Sequence, residues 1–158
     1  LPLLMVYGAI LELDSASGKR SLPIRDFFTG YRKTALMQGE FISEVIIPPQ
    51  PGSAFIRALK SSKRKAVDIS AVASAVKIER DAQGHVTEAL LAFGGVAATP
   101  VFSETFAEML TAAEPPAAKL IADSVAREFE PLSDVRGSAE YRNSMIVNHV
   151  LQYLEELR

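Results

Sequence analysis

The chain contains no cysteine among its 158 residues. A disulfide framework and a thiolate metal site are therefore excluded. An iron–sulfur cluster held by this chain alone is excluded as well, because such clusters need cysteine ligands. The two histidines, His85 and His149, lie far apart in the sequence, and no third ligand accompanies them. We therefore expect no metal site.

The chain also lacks an excess of charge and a long hydrophobic run. Lysine and arginine total 17 against 19 aspartates and glutamates, a net charge of −2, and this balance argues against a nucleic-acid partner. No apolar run approaches the roughly 20 residues that span a bilayer. The first residues carry no basic segment of the kind that opens a secretory signal. We expect neither nucleic acid nor a membrane among the partners.

Common catalytic and nucleotide-binding motifs are absent too. The sequence contains no G-x-G-x-x-G, no G-x-x-x-x-G-K-[ST] and no G-x-S-x-G, so we expect no self-contained catalytic machinery. The only glycine pair, Gly94-Gly95, is expected to form a tight bend at a strand end. The alternative is a close approach of the backbone to a phosphate.

The sequence does contain strands followed by helices. Apolar patterns predict strands at 3–13, 40–48, 53–60, 69–80 and 86–95. Ser103 and Ser138 are expected to cap helices, and a third helix is expected between Pro116 and Phe129, with Leu120 on its apolar face. This order predicts an α+β sandwich, in which an antiparallel sheet of three or four strands is covered by about three helices.

The most informative stretch is a basic segment at the end of the 53–60 strand. Lys60 ends the strand, and Lys63, Arg64 and Lys65 follow before Asp68. A fixed cation beside a charged loop can hold an electron-rich ring and control access to it. The alternative is an exposed lysine followed by a solvated loop. Nucleic-acid binding is a weaker hypothesis, because four cations without interleaved aromatic residues make a small patch.

Four segments, in this order, resemble the FAD-binding subunits of molybdenum hydroxylases, and of xanthine dehydrogenases in particular. They are D-F-F-T-G-Y-R-K-T at 26–34, G-E-F-I at 39–42, the stretch 53–70, and F-G-G-V-A at 93–97 with D-x-R-x-S-x-x-Y-R at 134–142. The resemblance implies that residues 1–48 are the end of a second FAD-binding lobe. Residues 53–158 would form a C-terminal domain like that of carbon monoxide dehydrogenase flavoproteins. The family's pyrophosphate-holding loops lie upstream, so we interpret the chain as a fragment that binds FAD poorly alone.

The resemblance also implies a cytoplasmic oxidoreductase of purine catabolism. In that family, electrons from a molybdopterin centre pass through 2Fe–2S clusters to FAD, which reduces NAD. FAD would belong to the intact subunit, whereas molybdopterin and the clusters would belong to other domains or to a molybdenum-binding partner subunit. The alternative is a non-catalytic module that docks subunits in a related aldehyde- or CO-oxidising flavoprotein.

The resemblance assigns cofactor-binding roles but no catalytic residue. Lys60 matches a lysine that contacts the flavin, and Ile42 matches an apolar residue that packs against the flavin region; plain core packing is the alternative for Ile42. Arg64, Lys65 and Asp68 would lie on a loop beside the nicotinamide-facing side of the flavin. The charged residues near the last helix are interpreted as ion pairs and interface contacts: Asp134, Arg136 and Arg142.

Overall fold

The computed structural model describes residues 1–64 and 67–157. In the N-terminal third a short helix is followed by strands and a 3-10 turn, and the three main helices come after all the strands. The elements are α1 (Pro2–Val6), β1 (Ile10–Ser15), β2 (Gly18–Pro23), a 3-10 turn (Ile24–Asp26), β3 (Phe28–Gly30), β4 (Lys33–Thr34), β5 (Phe41–Ile46), β6 (Phe55–Ser61), β7 (Val72–Arg80), β8 (Val86–Gly94), β9 (Val101–Phe102), α2 (Glu104–Leu110), α3 (Ala118–Arg127) and α4 (Ala139–Glu156).

The prediction of a strand from residue 3 was wrong, because residues 2–6 form the short helix α1. Pro2 occupies the first turn, where a missing N–H is tolerated, and Gly8 leaves the helix with a φ of +66°. A short apolar run is equally compatible with a buried helix and a strand, so its pattern alone could not separate the two. The strand begins at Ile10 instead.

The larger sheet has the order β6-β7-β8-β9, and all of its pairs are antiparallel. Helices α2, α3 and α4 cover one face, which confirms the predicted α+β sandwich. Alternate residues of β7 and β8 point into this layer because side chains alternate across a strand. The central buried residues are Val72, Val76, Ile78, Leu91, Phe93, Phe106, Ile121, Val125, Ile146 and Val150.

The opposite face of the larger sheet packs against the N-terminal segment. Ala75 and Ala92 are fully buried there with Met5 and Val6 of α1. The side chains on this sheet face are small, so the N-terminal segment can approach the backbone closely. A smaller antiparallel sheet of order β2-β1-β5 contributes the buried side chains of Leu11 and Leu13 to the same core.

Serine side chains cap both helices for which the sequence predicted a serine cap. The Ser103 hydroxyl accepts a hydrogen bond from the Phe106 amide at 3.1 Å, and the Ser138 hydroxyl accepts one from the Tyr141 amide at 3.2 Å. The expected face of α3 was partly wrong, because Leu120 is 50% exposed, while Ile121, Ala122 and Val125 face the core. The capping signal was therefore more reliable than the facial assignment of a short helix.

Gly95 forms the tight bend predicted for the glycine pair. Its φ is +88°, and a Cβ at this position would lie 2.3 Å from the carbonyl oxygen of Ala71. Both the dihedral and the close approach require glycine. The bend brings the end of β8 beside the residue that precedes β7.

Two further properties concern the part of the chain that the structure describes. None of its helices is long and apolar enough to cross a bilayer. No cluster of three or more histidine, aspartate or glutamate side chains in it suits a metal ion.

Candidate functional site

Lys60 lies on the face of the larger sheet opposite to α2, α3 and α4, which is the face that α1 partly covers. It pairs with Ala73 across β6 and β7, and its neighbour Leu59 packs into the helix-covered core. Because successive side chains of a strand alternate, Lys60 points away from α2, α3 and α4. Its side chain is exposed, and its ammonium donates a hydrogen bond to the Asp68 carbonyl oxygen at 2.8 Å.

Arg64 and Asp68 form a second contact next to Lys60. The Arg64 amide donates to Asp68 Oδ2 at 3.0 Å, and the Arg64 guanidinium lies 3.6 Å from Asp68 Oδ1. The Arg64 amide, followed by the guanidinium charge, holds the pKa of Asp68 below its usual range. The structure therefore brings Lys60, Arg64 and Asp68 together, whereas Lys65 lies outside the described residues.

A cavity of about 560 Å³ opens on the same sheet face. Ala73 and Gly94 form part of its lining, and they continue the cross-strand row that starts at Lys60. Ala73 is partly exposed in this lining, whereas Pro2 of α1 lies over Gly94, with its Cγ 3.6 Å from where a Cβ would stand. The remaining lining comes from the N-terminus, Tyr31, Ile69-Ser70, the residues after Gly94, the segment 132–136 and Arg142.

The far end of this cavity is held by a buried arginine. Arg142 is only 5% exposed, and it donates hydrogen bonds to Gly95 O at 2.7 Å, to Asp134 Oδ1 at 2.5 Å and to Ala71 O. The Arg136 amide, with the two guanidinium groups, lowers the pKa of Asp134 to about 2. This geometry confirms the interpretation of Asp134, Arg136 and Arg142 as ion pairs at the start of the last helix.

Ile42 does not lie in the same sheet as Lys60. It belongs to β5, pairs with Leu13 of β1, and is 41% exposed. Every residue of β5 is exposed, and the strand forms one edge of the smaller sheet. The role of Ile42 beside a flavin stays a prediction.

Sequence analysis missed a buried polar network beneath Lys60. His149 Nε2 lies 2.8 Å from Ser61 Oγ, and His149 Nδ1 lies 2.8 Å from Ser74 Oγ. Ser74 Oγ is in turn 2.8 Å from the Tyr153 hydroxyl. Burial lowers the pKa of His149 to about 4 and raises that of Tyr153 to about 12. The signal in the sequence was the spacing of His149, three residues after Ile146 and four before Tyr153, on the apolar face of α4.

Comparison with known proteins identifies the family. Residues 57–157 match the CO dehydrogenase flavoprotein C-terminal domain, and residues 1–50 match the FAD binding domain in molybdopterin dehydrogenase. The chain belongs to this flavoprotein family. The resemblance drawn from the four sequence segments is thereby confirmed.

Its relatives include chains of different enzymes. The chain is 34% identical to the xanthine dehydrogenase FAD-binding subunit of Escherichia coli O157:H7, over 96% of this chain and 53% of the subunit. It is also 34% identical to the carbon monoxide dehydrogenase medium chain of Afipia carboxidovorans, over 90% of this chain and 50% of that one. A crystal structure of Cu,Mo-CO dehydrogenase superimposes with a TM-score of 0.82 at 29% identity, covering 96% of this chain and 53% of that one. The chain thus spans about half the length of these relatives.

Proposed function

We propose that this chain is the C-terminal part of the FAD subunit of a cytoplasmic xanthine dehydrogenase-type molybdenum hydroxylase. In this role it helps to position FAD for electron transfer from iron–sulfur clusters to NAD, with the molybdenum-binding subunit as its partner. Residues 1–48 would complete an FAD-binding lobe, and residues 53–158 would form the C-terminal domain. The family matches at 1–50 and 57–157 support this division.

The observation that carries the proposal is the exposed Lys60 side chain on the same sheet face as the 560 Å³ cavity. Lys60 does not line that cavity itself but a neighbouring depression, together with Ser61 and Tyr141. The row from Lys60 through Ala73 to Gly94 leads into the 560 Å³ cavity, whose volume lies in the range of cofactor sites. Ala73 and the small residues after Gly94 line this cavity and suit a planar ring, while Pro2 lies over Gly94 itself. The residues present therefore fit an isoalloxazine, which supplies the electron-transfer chemistry when it is bound.

Lys60 would act through its charge. Its ammonium has three donors, and the contact with the Asp68 carbonyl uses one of them. The other donors remain available to an acceptor on the cavity side, because the side chain is exposed. A cation held at this position stabilises negative charge on a neighbouring ring.

Arg64 and Asp68 would govern access beside Lys60. The pair fixes a guanidinium and a carboxylate at the rim of a second cavity of about 810 Å³, which Lys63 and Arg136 also line. Cations at this rim would attract the phosphates of NAD, and the Asp68 carboxylate would repel them. The net effect of the pair on NAD binding depends on the distance between the Arg64 guanidinium and the Asp68 carboxylate.

Replacement of Lys60 by methionine in the complete flavoprotein tests the proposal. We expect the flavin midpoint potential to fall by about 30 mV, which for a two-electron couple corresponds to about 1.4 kcal/mol. Lys60→Arg should retain most of the wild-type potential because it keeps the charge. Spectroelectrochemical titration measures the change.

Lys19→Met is the matched control, since Lys19 is an exposed lysine of β2 whose ion pair with Asp14 lies in the other sheet. We expect its potential to equal that of the wild type. A Lys60→Met flavoprotein with an unchanged potential and unchanged FAD affinity would contradict the proposed role of Lys60.

A docking module of a CO- or aldehyde-oxidising flavoprotein is the second candidate. Two observations favour it: the identity to the carbon monoxide dehydrogenase medium chain equals that to the xanthine dehydrogenase subunit, and β5 exposes Phe41 and Ile46 in addition to Ile42. Assays of the assembled enzyme with xanthine, CO and an aldehyde separate the two candidates. Turnover of xanthine alone supports the first, and turnover of CO or the aldehyde supports the second.

A further inference from the structure

Helix α4 holds both ends of the segment that joins β6 to β7. At the first end, His149 contacts the Ser61 hydroxyl at 2.8 Å. At the second end, Arg142 donates a hydrogen bond to the Ala71 carbonyl oxygen. The two ends also bind each other, because the Ala71 amide donates to the Ser61 carbonyl oxygen at 2.8 Å. Lys60 immediately precedes Ser61, the residue at which this hydrogen bond closes the segment.

The contact at Ser61 joins this half-buried serine to a network whose other members are buried. His149 is 5% exposed, Ser74 is 2% exposed and Tyr153 is fully buried. Neutral imidazole has one donor and one acceptor nitrogen, so His149 satisfies both nitrogens with the two serine hydroxyls. A buried polar group that loses its partner destabilises the fold, and for this reason the imidazole nitrogen keeps its contact with Ser61.

Ser61 transmits this constraint to the opposite face of the sheet. Its hydroxyl points towards α4, whereas the adjacent Lys60 side chain points to the cavity side, because neighbouring residues of a strand alternate. A displacement of the β6 end on the helix side therefore moves the Lys60 backbone on the cavity side. Only one residue, Ser61, lies between the His149 imidazole and Lys60.

We infer that His149 is a positioning residue for Lys60, acting through Ser61 from the side of the sheet opposite the proposed flavin site. The inference rests on the proposed function only for its last step, the effect of Lys60 on the flavin. The first step, the immobilisation of the β6 end by α4, stands on the contacts of this chain alone.

Two amide substitutions at position 149 separate this role from simple core packing. The Gln side-chain amide reaches the place of Nε2 and can keep the bond to Ser61, whereas the Asn amide reaches the place of Nδ1 and keeps only the bond to Ser74. Ser61→Ala removes the same contact from the other partner and leaves the core intact. His85→Gln is the control, because His85 is an exposed histidine in the β7–β8 turn.

The first measurement is amide hydrogen exchange in the complete flavoprotein. We expect residues 60–64 to exchange about fivefold faster in His149→Asn and in Ser61→Ala, since loss of one neutral hydrogen bond costs about 1 kcal/mol. His149→Gln and His85→Gln should exchange at wild-type rates. Equal rates in His149→Asn and His149→Gln would overturn the inference; if His149→Asn does not fold, wild-type rates in Ser61→Ala would overturn it.

The second measurement is the flavin midpoint potential of the same variants. We expect His149→Asn and Ser61→Ala to shift the potential in the direction of Lys60→Met, and His149→Gln to stay near the wild type. If Lys60→Met changes the potential but His149→Asn and Ser61→Ala do not, the positioning role fails while the proposed function stands. If Lys60→Met itself has no effect, the proposed function fails, and hydrogen exchange alone decides whether α4 immobilises the β6 end.

Discussion

The buried imidazole of His149 makes the fold sensitive to mild acid. Burial lowers the pKa of His149 to about 4 from an ordinary value of 6.5, and its two nearest polar partners are serine hydroxyls that carry no compensating negative charge. Protonation therefore places an uncompensated charge in the core. The unfolded chain pays no such cost because its imidazole is hydrated.

The direction and size of the effect follow from the two pKa values. Between pH 6.5 and pH 4 the unfolded chain binds the proton and the folded chain does not, so the free energy of unfolding decreases as the pH falls. The full loss is about 3 kcal/mol at about 1.4 kcal/mol per pKa unit. By pH 5 about 2 kcal/mol is already lost, a large share of the 5–15 kcal/mol that is typical of a domain.

Urea unfolding followed by circular dichroism at pH 7, 6 and 5 measures this loss. The comparison variant is His149→Gln, which we expect to be less stable than the wild type at pH 7 but nearly independent of pH down to 5. The carboxylates with the lowest pKa values, Glu40 and Asp134 at about 2, lose their contributions only as the pH falls below their unfolded values near 4. Parallel pH profiles of the wild type and His149→Gln between pH 7 and 5 would refute the reasoning.

Two further predictions concern the bend beside the cavity. Gly95→Ala should lower the free energy of unfolding by at least about 2 kcal/mol, because a Cβ would meet the Ala71 carbonyl at 2.3 Å in a residue with φ +88°; urea unfolding checks this, and wild-type stability would contradict the steric requirement for glycine at this bend. Arg142→Met should cost about 3 kcal/mol, since it removes the side-chain donor of the buried Ala71 carbonyl oxygen, the donor of the Gly95 carbonyl oxygen and one of several donors to Asp134. Arg136→Met is its control and should cost less than about 1 kcal/mol, because an exposed ion pair contributes little; equal losses in the two variants would show that burial does not set the difference.

Local signals in the sequence predicted much of the fold. The strands at 40–48, 53–60, 69–80 and 86–95 correspond to β5, β6, β7 and β8, because each alternates or carries β-branched residues over a sufficient length. Both predicted serine caps are present, since capping depends on a few neighbouring atoms. The two-residue strand β9 was not predicted, because so short a strand depends on pairing with β8 rather than on its own pattern.

The candidate site was less predictable than the fold. The sequence placed Lys60 at the end of a strand and Arg64 and Asp68 on the loop that follows, and hydrogen bonds between these neighbours join them in the structure. The contact of His149 with Ser61 joins residues 88 positions apart, and no periodic pattern encodes such a pair. The same holds for Arg142 and Ala71, which the fold brings together over 71 positions.

The edge strand β5 affects the tendency of this polypeptide to aggregate. One border of the smaller sheet carries charge in Lys19 and Arg20, whereas the other offers Phe41, Ile42, Val45 and Ile46 to solvent. Charged borders discourage pairing, and apolar ones act as templates for any passing strand. A partner that covers β5 therefore competes with a second copy of the same edge strand. Binding of the partner leads to assembly, whereas pairing of two β5 edges leads to aggregation.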